Sequence, residues 1–146
     1  MRILTFAAIL LLGAPLAAAP VPKELKRKPD SERICGLWIY DRIDTGNGVT
    51  NQSGRWIFRP GKLYAGGTDT AENLGSEYGI VLRPALASEP CQMDITQGGR
   101  PTCFGVYKFE GEELHISYVH TGDRPKDFNS APARTVLKLK LVPESK

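Results

Sequence analysis

Short apolar runs separated by turn-forming residues extend along most of this chain. Eight runs rich in Val, Ile, Leu, Tyr, Phe and Trp alternate with clusters of Gly, Pro, Asn and Asp, a pattern typical of strands joined by turns. Consecutive short strands in this number predict an all-β fold, a single antiparallel up-and-down β-barrel of about eight strands. The predicted strands are 34–41, 55–59, 62–66, 78–83, 92–96, 103–109, 112–119 and 135–141.

One predicted hairpin joins the sixth and seventh strands through a two-residue turn at Glu110 and Gly111. In this register the apolar side chains of both strands share one face, and Lys108 lies opposite Glu113 on the other face. The predicted pairs on the apolar face are Phe109 with Glu112, Tyr107 with Leu114, Gly105 with Ile116 and Cys103 with Tyr118.

A second hairpin is predicted at Pro60 and Gly61, which suit a type II turn. Phe58 then lies opposite Leu63, and Trp56 lies opposite Ala65. The last strand has the clearest half-buried pattern, because leucines at 137, 139 and 141 alternate with lysines at 138 and 140.

The first 19 residues have the order of a secretory signal peptide, with Arg2, an apolar run at 3–12 and small residues before Pro20. The apolar run is about ten residues long, whereas a transmembrane helix needs about 20, so a membrane anchor is less favoured. We expect an exported protein, periplasmic or secreted, that does not span the membrane. The domain then occupies residues 33–146.

Residues 20–32 combine Pro with the charged run KELKRKP, which indicates a solvated tether; docking at an anionic surface is the alternative. The formal net charge of the chain is only +3. Because no dense basic face is expected, nucleic acid is not a predicted partner.

Three cysteines, Cys35, Cys91 and Cys103, enter an oxidising compartment if the chain is exported. An odd number leaves at least one thiol without a partner in the same chain. Cys91 and Cys103 flank a Gly and Pro loop, so a disulfide between them is the favoured pairing, and three reduced, buried thiols are the alternative.

The residues that could carry chemistry do not form a motif. His115 and His120 have opposite parity on one strand and point to opposite faces, with His115 expected in solvent. The acidic residues are scattered, and Gly98-Gly99 lacks the helix and Lys of a phosphate loop, so a hairpin turn is the better interpretation. We therefore predict neither an enzyme nor a bound cofactor or metal.

Four segments, ICGLWIYDRID, MDITQGG, GVYKFEGEELHISYV and TGDRPKDFNS, resemble a family of small domains abundant in exported proteins of planctomycete bacteria. The resemblance implies a lipocalin-like barrel and no established activity. The chain departs from the family in a shorter loop between Thr96 and Cys103 and in the absence of a cysteine near Ser117. The positions that match the family are Gly36, Trp38, Asp94, Gly105, Tyr107, Gly111, Leu114, Arg124, Pro125 and Phe128.

The segment around Arg124 also has a structural interpretation. Arg124 and Asp127 can form an ion pair across a turn fixed by Pro125, while Phe128 plugs one end of the sheet. A structural role for this segment, in closing one end of the fold, is favoured over a role in binding.

The leading functional prediction is a non-catalytic binding module, since an eight-stranded barrel has room for its side chains or for one small apolar ligand. The alternative is a structural or protein-interaction domain of the cell envelope with a filled interior. The residues predicted to line the ligand site or fill the core are Trp38, Trp56, Phe58, Tyr78, Tyr107 and Tyr118.

Overall fold

The computed structural model describes residues 28–66, 74–85 and 89–143. The predicted signal peptide and most of the predicted tether lie outside the described residues. So does most of segment 67–75, which separates the third and fourth predicted strands. The elements are α1 (Asp30–Arg33), β1 (Gly36–Tyr40), β2 (Ile43–Asp44), β3 (Val49–Thr50), β4 (Gly54–Arg59), β5 (Lys62–Ala65), β6 (Ser76–Arg83), β7 (Cys91–Gln97), β8 (Arg100–Glu110), β9 (Glu113–Val119) and β10 (Arg134–Leu141).

Eight of these strands close into a barrel. β1, β4, β5, β6, β7, β8, β9 and β10 each pair with the next one antiparallel, and β10 pairs with β1 to complete the ring. The predicted fold, an all-β antiparallel up-and-down barrel of eight strands, is therefore confirmed. The two-residue strands β2 and β3 were not predicted because so short a stretch has no recognisable period; they form a small hairpin beside β10.

The three tight hairpins differ in how well they were predicted. At Pro60 and Gly61 the predicted register is correct, with Phe58 opposite Leu63. Gly98 and Gly99 form the expected turn between β7 and β8, and the positive φ of both, 57° and 79°, is that of a type I′ turn. The third hairpin joins β8 to β9 and has a different register from the predicted one.

The turn between β8 and β9 lies at Gly111 and Glu112, so the predicted pairing is wrong by two residues. The reason is that Gly111, with φ 60°, takes the first central position of the turn, where a type II′ turn needs glycine. Because a shift of two residues keeps every side chain on its face, the apolar face is still the core face. The observed pairs include Phe109 with Leu114, Tyr107 with Ile116 and Lys108 with His115.

One end of the barrel is plugged by α1 and the residue that follows it. Ile34 is buried, and its carbonyl accepts a 2.7 Å hydrogen bond from the indole nitrogen of Trp38. The Tyr107 hydroxyl donates to Asp30 at 3.2 Å, and the Arg33 guanidinium lies 3.9 Å from the centre of the Phe109 ring. Asp30, which belongs to the predicted tether, therefore contacts the barrel.

Residues 121–133, here called the strap, cross the outer face of β7 and β8. Arg124 forms ion pairs with Asp94 of β7, not with Asp127 as predicted, since Asp127 pairs with Arg134. Phe128 does not plug the sheet: its ring lies 4.7 Å from the ammonium of Lys108 on the outer face. Val106 faces outward from β8 but is buried, because the strap lies beside it on the outer face.

His115 also faces outward but is not in solvent as predicted. Only 7% of its side chain is exposed, because the carboxylates of Glu113 and Glu110 lie 3.0 and 3.6 Å from its Nε2. Acidic neighbours thus cover the imidazole on the outer wall of the barrel.

Candidate functional site

A cavity of about 330 Å³ opens at the end of the barrel opposite α1, and we call it the open-end pocket. It is built by inward-facing positions of successive strands, which period-two alternation directs to one side of the sheet. Its volume lies at the lower limit of small-molecule sites. The lining residues are Trp56, Leu63, Ala65, Tyr78, Ile95, Gln97, Thr102, Cys103, Tyr118 and His120.

The inner part of the pocket is apolar and aromatic. Trp56 is buried, and its ring centre lies 6.0 Å from that of Tyr118 and 5.9 Å from that of Phe58. Burial raises the pKa of Tyr118 to about 12, so this phenol stays neutral at physiological pH. The inner wall offers stacking surfaces with no charge.

The polar residues of the pocket, Gln97, Thr102 and His120, come from the end of β7, the start of β8 and the residue after β9. The antiparallel topology brings these three chain positions to the same rim. The His120 ring stands edge-on to Tyr118, with 5.6 Å between the ring centres and an angle of 84°. Its Nδ1 lies 3.2 Å from the sulfur of Cys103.

Cys103 is buried beneath this rim, and its environment does not activate it. Burial raises the pKa of the Cys103 thiol, and a hydrogen bond with Thr102 only partly opposes that effect. A protonated thiol is a poor nucleophile. The pair of Cys103 and His120 is therefore suited to hydrogen bonding.

The predicted lining residues divide into two groups. Trp56, Tyr78 and Tyr118 line the open-end pocket. Trp38, Phe58 and Tyr107 are 2%, 1% and 1% exposed and fill the interior toward the plugged end. The interior is thus packed around these three residues, with a smaller cavity of about 200 Å³ beside the plug at Ile34, Ile80 and Leu82, and it is open at the opposite end.

The residues that carried the family resemblance do not lie in the pocket. Four of them meet where the strap crosses β7 and β8: Asp94, Gly105, Arg124 and Pro125. Trp38 and Tyr107 pack at the plugged end, where Gly36 also lies against Leu141. Gly111 and Leu114 belong to the β8–β9 hairpin, and Phe128 belongs to the strap. These contacts give the motif a structural role.

The predicted disulfide between Cys91 and Cys103 is wrong, because all three cysteines are free. Across the β7–β8 ladder Cys91 pairs with Tyr107 and Cys103 pairs with Ile95, so the cysteines lie four residues apart along the strand. That is about 13 Å at the rise of a β-strand, too far for a disulfide. The prediction left residues 97–102 as a loop between two strands. The two-residue turn at Gly98 and Gly99 instead lets β7 and β8 pair as far as Gln97 and Arg100, and this sets the register of the ladder.

The sequence interpretation did not assign Gln97, Thr102, Cys103 or His120 to a site. The predicted register already put Cys103 on the inward face, but opposite Tyr118. In the observed register Phe104 pairs with Val119, so Cys103 lies opposite the residue after β9, His120. A correct register would have brought the thiol and the imidazole together.

A larger groove of about 680 Å³ lies on the outer surface, beside Tyr40, Arg55 and Lys138. It is open to solvent, and charged side chains, among them Asp41, Arg55 and Lys140, contribute to its lining. We favour the smaller cavity as the functional site because it is walled by the inner face of the barrel on several sides.

In the described part of the chain, no three side chains of His, Cys, Asp or Glu converge as metal ligands would. No helix within the described ranges has the length and apolarity needed to cross a membrane. No protein-family model matches the chain, and neither the curated proteins nor the solved structures give a significant match. The family resemblance therefore stays a prediction.

Proposed function

We propose that this protein is a non-catalytic binding module that takes one small, apolar molecule into the open-end pocket. The single observation that carries the proposal is a cavity of about 330 Å³ at the open end of the barrel, lined by Trp56, Tyr78 and Tyr118. Burial of apolar ligand surface against aromatic rings is the main source of affinity in such sites.

The charge state of the pocket supports binding over catalysis. The Tyr118 phenol and the Cys103 thiol both have raised pKa values, and within the described ranges no carboxylate lines the pocket. Nucleophilic catalysis by Cys103 would need a thiolate, which a raised thiol pKa disfavours.

We propose further that the protein acts outside the cytoplasm as an exported member of the planctomycete family it resembles. The support is the signal-peptide pattern of residues 1–19 and the four matching segments. The alternative, a structural domain with a filled interior, is supported by the packed part of the interior around Phe58 and Tyr107.

The two tryptophans allow a direct test, because Trp56 lines the pocket and Trp38 lies in the packed part of the interior. The full chain is titrated with 3-phenylpropanol, a small neutral probe with an aromatic body, while tryptophan emission is recorded. We expect a saturable change that is retained in Trp38→Phe and lost in Trp56→Phe. No saturable change, or one that depends on Trp38 instead, would favour the structural alternative.

A further inference from the structure

Besides the phenols of Tyr78 and Tyr118 and the Cys103 thiol, the polar side chains among the described lining residues lie at one rim: the amide of Gln97, the hydroxyl of Thr102 and the imidazole of His120. The Thr102 hydroxyl lies 3.1 Å from the carbonyl oxygen of Ile95, to which it can donate. The pocket therefore has one rim rich in hydrogen-bonding groups above an uncharged interior. A ligand that fits it has an apolar body and a single polar end.

The contact between Cys103 and His120 determines what the rim can offer to that polar end. Because burial raises the pKa of Cys103, the thiol keeps its proton and can donate to His120 Nδ1, 3.2 Å away. An imidazole that accepts at Nδ1 carries its proton at Nε2 when it is neutral. In the described ranges Nε2 has no hydrogen-bond partner, so its N–H is available to a ligand.

We infer that the ligand of the open-end pocket is a small aromatic carboxylate, whose carboxylate accepts a hydrogen bond from His120 Nε2 while Cys103 positions the imidazole. The inference rests on the proposed function. It follows from three features: the aromatic interior, the donor at the rim, and a lining that includes no acidic side chain among the residues that the structure describes. A hydrogen bond to a charged acceptor is stronger than one to a neutral acceptor, which favours a carboxylate over an alcohol of the same shape.

Three probes with one common body test the head group: 3-phenylpropionate, 3-phenylpropanol and 3-phenylpropylammonium, each titrated against the full chain and followed by NMR. We expect the carboxylate to bind about fivefold more tightly than the alcohol, and the ammonium to bind most weakly. His120→Phe keeps a ring beside Tyr118 but removes the N–H, so it should abolish the preference for the carboxylate while the alcohol still binds.

The outcomes separate the inference from the function on which it rests. If the alcohol binds and the carboxylate gains nothing, the pocket is a binding site and the His120 anchor is wrong. The same holds if the carboxylate preference persists in His120→Phe. If none of the three probes binds, the proposed function fails together with the inference.

The role of Cys103 has its own readout, the ¹⁵N chemical shifts of the His120 ring, which distinguish the two neutral tautomers. We expect the Nε2–H form in the wild type and in Cys103→Ser, since a hydroxyl also donates, and loss of this preference in Cys103→Ala. His115, which contacts Glu113 on the outer wall, is the internal reference and should not change. A wild-type His120 protonated at Nδ1 would overturn the positioning role.

Discussion

Arg124 and Asp94 form an ion pair on the outer side of the barrel, where the guanidinium of the strap meets the carboxylate of β7. The same guanidinium donates to the carbonyls of Gly105 and Met93 at 2.7 and 3.1 Å. Asp94, with 9% of its side chain exposed, also accepts from Arg83. One largely buried arginine thus fastens the strap to two strands.

Loss of Arg124 should destabilise the fold substantially. We expect Arg124→Gln to lower the free energy of unfolding by about 2 to 3 kcal/mol, because it leaves the Asp94 carboxylate and two carbonyls with fewer partners in a dry environment. Arg134→Gln is the matched control, since its partner Asp127 is exposed and should contribute little. Urea unfolding measures both, and equal losses would contradict the assignment.

Asp94 should also set part of the acid sensitivity of the protein. Burial alone would raise the pKa of Asp94, but hydrogen bonds from Arg124 and Arg83 outweigh it and hold the pKa below its ordinary value. A lowered folded-state pKa stabilises the fold above the unfolded-state value of about 3.9, and this contribution is lost as the pH falls through the folded-state pKa.

The measurement is unfolding free energy against pH for the wild type and Asp94→Asn. The difference between them should be largest at neutral pH and should shrink on acidification from about pH 5 downward. A constant difference across this range would mean that the ionisation of Asp94 contributes nothing.

Gly105 is required by close packing between strands. A Cβ atom there would lie 2.9 Å from the carbonyl oxygen of Ser117 and 3.1 Å from the Cβ of Tyr118. We expect Gly105→Ala to cost about 2 kcal/mol, as overpacking does when backbone must move. In Gly79→Ala the new methyl meets the side-chain hydroxyl of Thr96, which can rotate away, so the loss should be smaller. Thermal or urea unfolding compares the two.

The plug at the closed end should contribute through burial. Ile34 is 2% exposed, and truncation in Ile34→Ala should cost about 3 kcal/mol, since it leaves a cavity in the core. Ile39→Ala is the control, because Ile39 is 46% exposed on the outer face. Similar small effects in both variants would show that the segment around α1 does not pack as described.

The free cysteines give a chemical prediction. Unfolding without a reducing agent should release three reactive thiols per chain in an Ellman assay. In the native protein Cys103 should react slowest, because it is buried, whereas Cys35 and Cys91 are half-buried. A count of one thiol would restore the disulfide that the observed register excludes.

The barrel could be predicted from sequence because its information is local. Leu137 and Leu139 are buried while Lys138 and Lys140 are exposed, as alternation requires, and the glycines mark the turns. Leu141, assigned to the buried face, is 44% exposed because it lies at the end of the barrel. Alternation identifies a face but does not say how far along a strand the core extends.

The site could not be predicted in the same way, because it depends on contacts between distant segments. Arg124 has a plausible local partner in Asp127, yet it pairs with Asp94, which only the closed sheet brings near. Likewise, the pocket exists because α1 fills one end of the interior and leaves the other unfilled. Both outcomes are decided by tertiary packing, which single-sequence patterns do not encode.

The first and last described segments meet at the base of the barrel. Lys28 leads into α1, and the amide of Val142, just after β10, donates to the carbonyl of Leu37 at 2.8 Å. The described chain therefore enters and leaves the barrel at the end that α1 plugs, opposite the open-end pocket. A surface linkage made near Lys28 or Val142 would hold the barrel by that end and put the attachment point at a distance from the bound ligand.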